Sequence, residues 1–215
     1  MSTLTKIALS LVGHLKPDRV REYPAATLEL PPAERSGGLP VLDALARRCS
    51  GREFATTPLP PQILSNLLWA AFGVNRAATG GRTAPSAQNA QEIDIYAALA
   101  GGLYIYDPKH HALRLAAQVD ARSVTGFQDF VDEAPLDLIY VADNAHMHAV
   151  SQEVRAQFSA ASAGAIAQNV YLYCASAGLA TVVRGWFDRT ALASALELGP
   201  GEQVLLTQTV GYPRD

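Results

Sequence analysis

Residues 153–177 are the longest stretch of the chain with helical character. Small side chains dominate it: Ala160, Ala161, Ala163, Gly164, Ala165 and Ala167, with Gly178 as the stop. A long helix with so little side-chain bulk lets another backbone approach closely, from its own core or from a symmetry mate. The fold therefore has to place one long helix centrally. The strands and helices around it alternate irregularly, without clean strand–helix–strand units. That predicts an α+β architecture, a central mostly antiparallel sheet flanked by helices, over a doubly wound parallel sheet.

Leu42, Leu45 and Ala46 recur at helical spacing and predict a helix over 40–49. Ile63, Leu64, Leu67, Leu68 and Ala71 predict a second helix ending at Gly73. Residues 74–91 read as a polar loop. Ile93–Tyr96 and Leu103–Tyr106 read as strands, and a turn at Asp107-Pro108 leads to Leu113–Leu115. A short helix is expected at 119–130, and a buried strand at Leu136–Ala142. A strand at Thr181–Val183, a helix at 188–196 and a last strand at Val204–Val210 complete the reading. Residues 1–38 carry Pro17, Pro24, Pro31, Pro32 and Gly37-Gly38, and read as an arm with a short helix near its start. They precede one domain, 39–215.

Of the 215 residues 49% are hydrophobic and 17% charged, with a formal net charge of −3. No basic field is available for nucleic acid or an anionic membrane, and neither is expected as a partner. So low a charged fraction hints that some surface is buried against a second subunit. Cys49 and Cys174 lie far apart and match no metal spacing, which suits reduced thiols in a cytoplasmic protein. The pairs His110-His111 and His146-x-His148 sit in polar, turn-like stretches without a cysteine nearby and read as surface histidines, not a metal site. The apolar run Ile7–Val12 lacks the features of a secretory signal, and no segment reaches membrane-spanning length.

Three stretches could carry chemistry. In Arg48-Cys49-Ser50-Gly51-Arg52-Glu53-Phe54, two arginines bracket a serine and a glycine. Guanidinium forks match phosphate oxygens, and two of them nearly balance a phosphomonoester. In Gly80 to Asn89, Pro85 stiffens a loop on which Ser86, Gln88 and Asn89 offer donors and acceptors suited to the polar edge of a planar heterocycle. In Gly178 to Asp188, an apolar strand runs into Arg184-Gly185, where a glycine can present its N–H at a point that any side chain would block; Asp188 is a natural helix N-cap. Taken singly, each stretch also fits a solvated helix end, a polar turn or a cap. No nucleophile elbow, phosphate-binding P-loop or dinucleotide fingerprint occurs, which disfavours a hydrolase and favours cofactor chemistry.

In order, the three stretches resemble the signatures of the nitroreductase superfamily. Arg48, Ser50, Arg52 and Phe54 match its Arg-x-Ser-x-Arg/Lys-x-Phe motif. Pro85, Ser86 and Asn89 match Pro-Ser-x-x-Asn, and Gly178, Leu179, Thr181 and Gly185 match its Gly-Leu-x-Thr strand and glycine turn. The phrasing around Arg82–Ser86 and Gly126–Val131 is most similar to the SagB/thiazoline-oxidase-type branch. The resemblance implies a homodimer with FMN between subunits and the long helix at the interface. Arg48 and Arg52 would hold the phosphate, with Cys49 inside that motif and Ser50 on the ribityl chain or phosphate. Pro85, Ser86, Ala87 and Asn89 of the other subunit would line the ring. Gly185 would give its N–H to flavin N5, and Gln128 or Arg122 would reach the N1/O2 edge. Arg184 stands where many relatives have an acidic residue, and Arg214 could add a phosphate contact. The implied activity is ping-pong transfer from NADH or NADPH to a small nitroaromatic or quinone-type acceptor. A flavin-dependent dehydrogenase of a peptide or natural product, and a flavin-binding scaffold without turnover, are the alternatives.

Overall fold

The computed structural model describes Tyr23, residues 27–144, Met147 and residues 151–214. Its strands are β1 (Thr27–Glu29), β2 (Val74–Arg76), β3 (Gly81–Arg82), β4 (Ile93–Leu99), β5 (Gly102–Asp107), β6 (Ala112–Ala117), β7 (Leu136–Asp143), β8 (Ala180–Arg184) and β9 (Glu202–Gly211). Its helices are α1 (Val41–Arg47), α2 (Pro61–Phe72), α3 (Gln152–Ala177) and α4 (Arg189–Ala195). The short helix expected near the start of the chain, with His14, and the pair His146 and His148 lie outside the described residues.

One seven-stranded sheet, in the order β1-β6-β5-β4-β7-β9-β8, is antiparallel at every pairing. Apolar residues on both faces of β4 and β7 make them its centre. Ile93, Ile95, Leu138 and Tyr140 pack under α2 and α3, while Tyr96, Ile139 and Val141 pack with Leu192 of α4 on the opposite face. The predicted α+β architecture is thus the observed one.

The small residues of α3 act as expected within the chain: Ala163, Ile166, Ala167, Val170 and Cys174 sit flush on the sheet. Pro61 opens α2, where its missing N–H is harmless, and Gly73 ends it. Asn169 of α3 donates to the carbonyls of Ala70 (3.1 Å) and Ala71 (3.5 Å), groups the helix itself leaves unpaired.

Three expectations change. The helix expected over 119–130 is a single 3-10 turn, Arg122–Val124. Asp120 accepts from the Arg122 N–H and Thr125 Oγ1 donates to the Arg122 carbonyl, so local side chains take the backbone groups that a helix would use. The polar loop 74–91 contains the hairpin β2–β3. The arm contributes β1, which pairs with β6 from Thr27↔Arg114 to Glu29↔Ala112.

His111 is not a plain surface residue. Ser65 Oγ donates to Pro31 O (2.6 Å), so His111 Nε2–H donates to Ser65 Oγ (2.7 Å), which leaves Nδ1 to accept from the Tyr106 hydroxyl (2.8 Å). This chain of bonds ties the arm to α2 and to the β5–β6 hairpin. Its partial burial holds the imidazole below its ordinary pKa. His110 instead pairs through Nδ1 with the buried Asp107.

Candidate functional site

Alternation in an extended chain puts residues i, i+2 and i+4 on one side. Between α1 and Phe54 the backbone is non-helical, and the pattern holds only in part: Arg48 and Ser50 meet Tyr171, whereas Arg52 lines the same cleft as Cys49, Gly51 and Glu53. Gly51 N–H donates to Thr181 O (3.0 Å) and Ala55 N–H to Tyr212 O (2.9 Å), which pins the segment against the outer edge of β8 and the end of β9. An ideal Cβ at Gly51 would lie 3.0 Å from the Ala180 Cβ, so only glycine permits this approach without displacement.

Tyr171 of α3 joins the first stretch to the third. Its hydroxyl shares a 2.8 Å bond with Ser50 Oγ and accepts from Val183 N–H (3.0 Å). The Arg48 guanidinium lies 5.3 Å from the centre of the same ring. Arg48 is half-buried, whereas Ser50, Arg52 and Cys49 are exposed. Sequence reasoning missed Tyr171; the signal was a hydroxyl in an otherwise apolar helical register.

A cleft of about 510 Å³ runs beside this segment and includes Arg47, Cys49, Arg52 and Arg214 in its lining, with Cys174 and Leu179 behind. Arg214 reaches the cleft with its guanidinium already engaged, on Phe54 O (3.0 Å) and on Glu133. Burial pushes the Cys174 thiol well above its ordinary range, so it is a packing group and not a nucleophile.

At the far end of β8, Gly185 and Trp186 are exposed. A Cβ on Gly185 would meet nothing nearer than Leu206 Cδ2 at 3.9 Å. The expected steric block is therefore absent within the chain, and any demand for glycine here must come from what binds. Phe127 packs on Trp186 at 5.5 Å between ring centres, and both rings are largely exposed. Asp188 caps α4, accepting from Thr190 and Ala191 N–H at 2.9 Å each.

Arg184 turns away from this surface. Its Nη2 donates to Asp137 Oδ1 (2.5 Å), Thr209 Oγ1 (2.7 Å) and Thr125 Oγ1 (3.2 Å), all inside the protein. Asp137 interrupts the run Leu136–Ala142, which the sequence presents as a plain buried strand. Burial raises its carboxyl to about 6 against the pull of Arg184 and Arg122. Gln128 turns inward too, with Oε1 buried, and Arg122 binds Asp120 and the Ala134 carbonyl.

The loop Pro85–Asn89 stands elsewhere. It leads into Ile93, level with Ala142 on β7, whereas Thr181, which holds the Arg48–Arg52 segment, is level with Leu136 through Val210. Those levels are six residues apart along β7, roughly 20 Å of strand. Gln88, Asn89 and Gln91 all have left-handed backbone, with φ of 56°, 54° and 51°. The buried Gln91 organises the loop. Its Nε2 donates to Gly80 O (2.9 Å) and Asn89 Oδ1 (3.1 Å), its Oε1 accepts from Arg82 Nε (2.8 Å), and its N–H donates to Ser86 Oγ (3.0 Å). Pro85 and Ala87 present no polar side chain. This hub was also missed in the sequence, where Gln91 looked like one more polar residue.

Known proteins align with this arrangement. The family model described as the nitroreductase family matches residues 45–212. A candidate nitroreductase of Methanocaldococcus jannaschii is 31% identical over 179 residues, 79% of this chain and 89% of that protein. A crystal structure of a candidate nitroreductase from Ralstonia eutropha shares 48% identity with a TM-score of 0.84, over 93% of this chain and 98% of that one. The NADPH:FMN oxidoreductase of Vibrio harveyi, solved with NAD+, has the same fold at 19% identity and a TM-score of 0.61, over 81% of this chain and 69% of that one.

Proposed function

The chain belongs to the nitroreductase family and is an oxidoreductase of that type; on that premise we propose that it binds FMN between two copies of itself and uses NADH or NADPH to reduce a small planar acceptor. One observation carries this reading: Tyr171 ties Arg48 and Ser50 of the extended segment to β8, whose exit is the open backbone of Gly185. The donor set fits the cofactor. Two guanidinium groups and a hydroxyl suit a phosphate, and an exposed glycine N–H suits the edge of a flat ring.

FMN would supply the redox chemistry, accepting a hydride equivalent at N5 and returning the electrons to the acceptor. The protein's share is to bind and orient. Arg48 and Arg52 hold the phosphate, Ser50 shares the tail, and the Gly185 N–H faces N5. Phe127 and Trp186 offer an apolar platform beside Gly185 for a planar acceptor.

The loop of Pro85, Ser86, Ala87 and Asn89 stands roughly 20 Å of strand from the Arg48–Arg52 segment in one chain. Two chains contributing would bring both to one ligand, with the exposed small residues Ala160, Ala161 and Gly164 of α3 facing the partner. Cytoplasmic placement accords with this reading; among the described residues no helix is long and apolar enough to cross a membrane.

The test is a visible spectrum of the purified protein, recorded anaerobically before and after each nicotinamide. A yellow protein that releases FMN on denaturation and bleaches with NADH or NADPH is expected. A colourless protein that cannot be reconstituted with FMN would refute the proposal. Oxidation of an organic substrate without nicotinamide turnover would move the assignment to a flavin-dependent dehydrogenase.

A further inference from the structure

The Arg184–Asp137 pair is the most incompletely satisfied polar cluster among the described residues. Arg184 is 6% exposed and Asp137 not at all. A guanidinium carries five N–H donors. Here one nitrogen, Nη2, meets Asp137, Thr125 and Thr209, while Nε and Nη1 have no partner. Asp137 Oδ2 and Gln128 Oε1 are likewise buried and unpartnered. Thr209 Oγ1 donates to the same Asp137 oxygen that Arg184 uses. The pair is therefore not the two-pronged ion pair that stability alone favours, since two of the three guanidinium nitrogens and one of the two carboxylate oxygens are left without hydrogen bonds.

Its setting is specific. Arg184 immediately precedes Gly185, and the ring of Phe130 lies 5.6 Å from its Cζ. Gly126 leaves room for the guanidinium: an ideal Cβ there would sit 2.1 Å from Nη1 and 2.6 Å from Gln128 Oε1. Such a cluster, buried and fixed by two threonines, keeps its field because burial lowers the local dielectric response.

We propose that the buried Arg184–Asp137 pair is a positioning element that sets the reduction potential of a flavin held at Gly185 through its net charge. This rests on the FMN reading above. Two-electron reduction adds negative charge to the flavin ring near neutral pH, so a nearby positive charge favours the reduced form and a negative charge opposes it. With both groups ionised the pair is neutral overall. With Asp137 protonated it carries one positive charge. The charged and titratable groups facing Asp137 are Arg184 from β8 and Arg122 from the 3-10 turn; Thr209 of β9 and Thr125 are the neutral ones, and β4 presents Ala98 opposite.

The test is potentiometric titration of the FMN-loaded protein from pH 5 to 8. The isosteric Asp137→Asn mimics the protonated pair. Its potential is expected to lie above that of the unaltered protein at pH 8, and the two curves should converge as pH falls through about 6, where the carboxyl gains its proton. The double variant Asp137→Asn with Arg184→Met, neutral again, is expected to return the potential toward the original value at pH 8. A buried pair replaced by neutral residues of similar volume usually folds, so the double variant stays informative if a single one does not. If the flavin-loaded variants keep the original potential at every pH, the proposal is overturned. A purely structural role would change melting temperature without the charge-ordered shift. An original protein that binds no FMN refutes the functional reading instead, which separates the two failures.

Discussion

The Arg48–Arg52 segment and the Pro85–Gln91 loop are both short polar stretches outside helices, yet they use their side chains in opposite ways. In the first, the backbone is pinned to β8 and β9 while Ser50 and Arg52 stay exposed. In the second, the side chains of Ser86, Asn89 and Gln91 bond one another or nearby backbone, and three residues adopt left-handed backbone. One stretch leaves donors exposed, as the grip of the proposed cofactor site requires. The other is a preformed wall whose contribution is shape, strained backbone included.

The largest expected effect falls on the grip. Arg48→Ala with Arg52→Ala should weaken FMN binding by about 3 kcal/mol or more, roughly a hundredfold, at about 1.5–3 kcal/mol per hydrogen bond to a charged group. Fluorescence titration measures it, and the melting temperature of the FMN-free protein should move less, because Arg52 is exposed and Arg48 gives up one partly buried contact with Tyr171. Equal loss of affinity and stability would erase the distinction between the two regions.

The wall should behave in reverse. Gln91→Ala removes the bonds to Gly80, Asn89 and Arg82 and should cost about 2 kcal/mol of stability, read by chemical denaturation. A change under about 0.5 kcal/mol would show that the loop does not depend on its hub. Conversely, Gln88→Gly relieves a left-handed residue that costs about 1–2 kcal/mol, and should stabilise the protein by up to about 1 kcal/mol. Destabilisation there would mean that the exposed Gln88 side chain has a role the loop conceals.

The smallest effect tests whether the wall's behaviour recurs. His111 is also left-handed, at φ 52°, with its ring committed on both sides. Its folded pKa lies below the ordinary 6.5, so keeping it neutral contributes stability that is present above 6.5 and lost as pH falls through the folded value. Asp107, held below the ordinary carboxylate range chiefly by its His110 and Arg114 bonds against burial, adds a loss in the same direction at lower pH. His111→Asn should therefore flatten the upper part of the acid limb of the stability curve. An unchanged limb would assign it wholly to other groups.

This contrast also explains how much could be read before the fold was known. Helical spacing in Ile63–Ala71 and the small residues of 153–177 depend on local period, and both helices stand within two residues of expectation. The motif residues Arg48, Ser50 and Arg52 were legible because they lie in one contiguous stretch and their chemistry suits a phosphate. Tyr171, Gln91 and Asp137 were not, since most of their partners lie 5 to 121 residues away. Asp137 left a trace, a lone acid in an apolar strand. The helix expected over 119–130 is prevented by the local bonds of Asp120 and Thr125, and Phe127 within that stretch faces out beside Trp186.

The short outer strands have one more consequence. The sheet ends in β1, three residues long, and β8, five residues long. On β8 the outward carbonyl of Thr181 is taken by Gly51 and the outward N–H of Val183 by Tyr171. A foreign chain seeking to extend the sheet finds a brief rim, partly occupied at β8. The contacts that anchor the arginine segment thus double as insulation against edge-to-edge aggregation, so the protein should tolerate crowding that would precipitate an open-edged sheet.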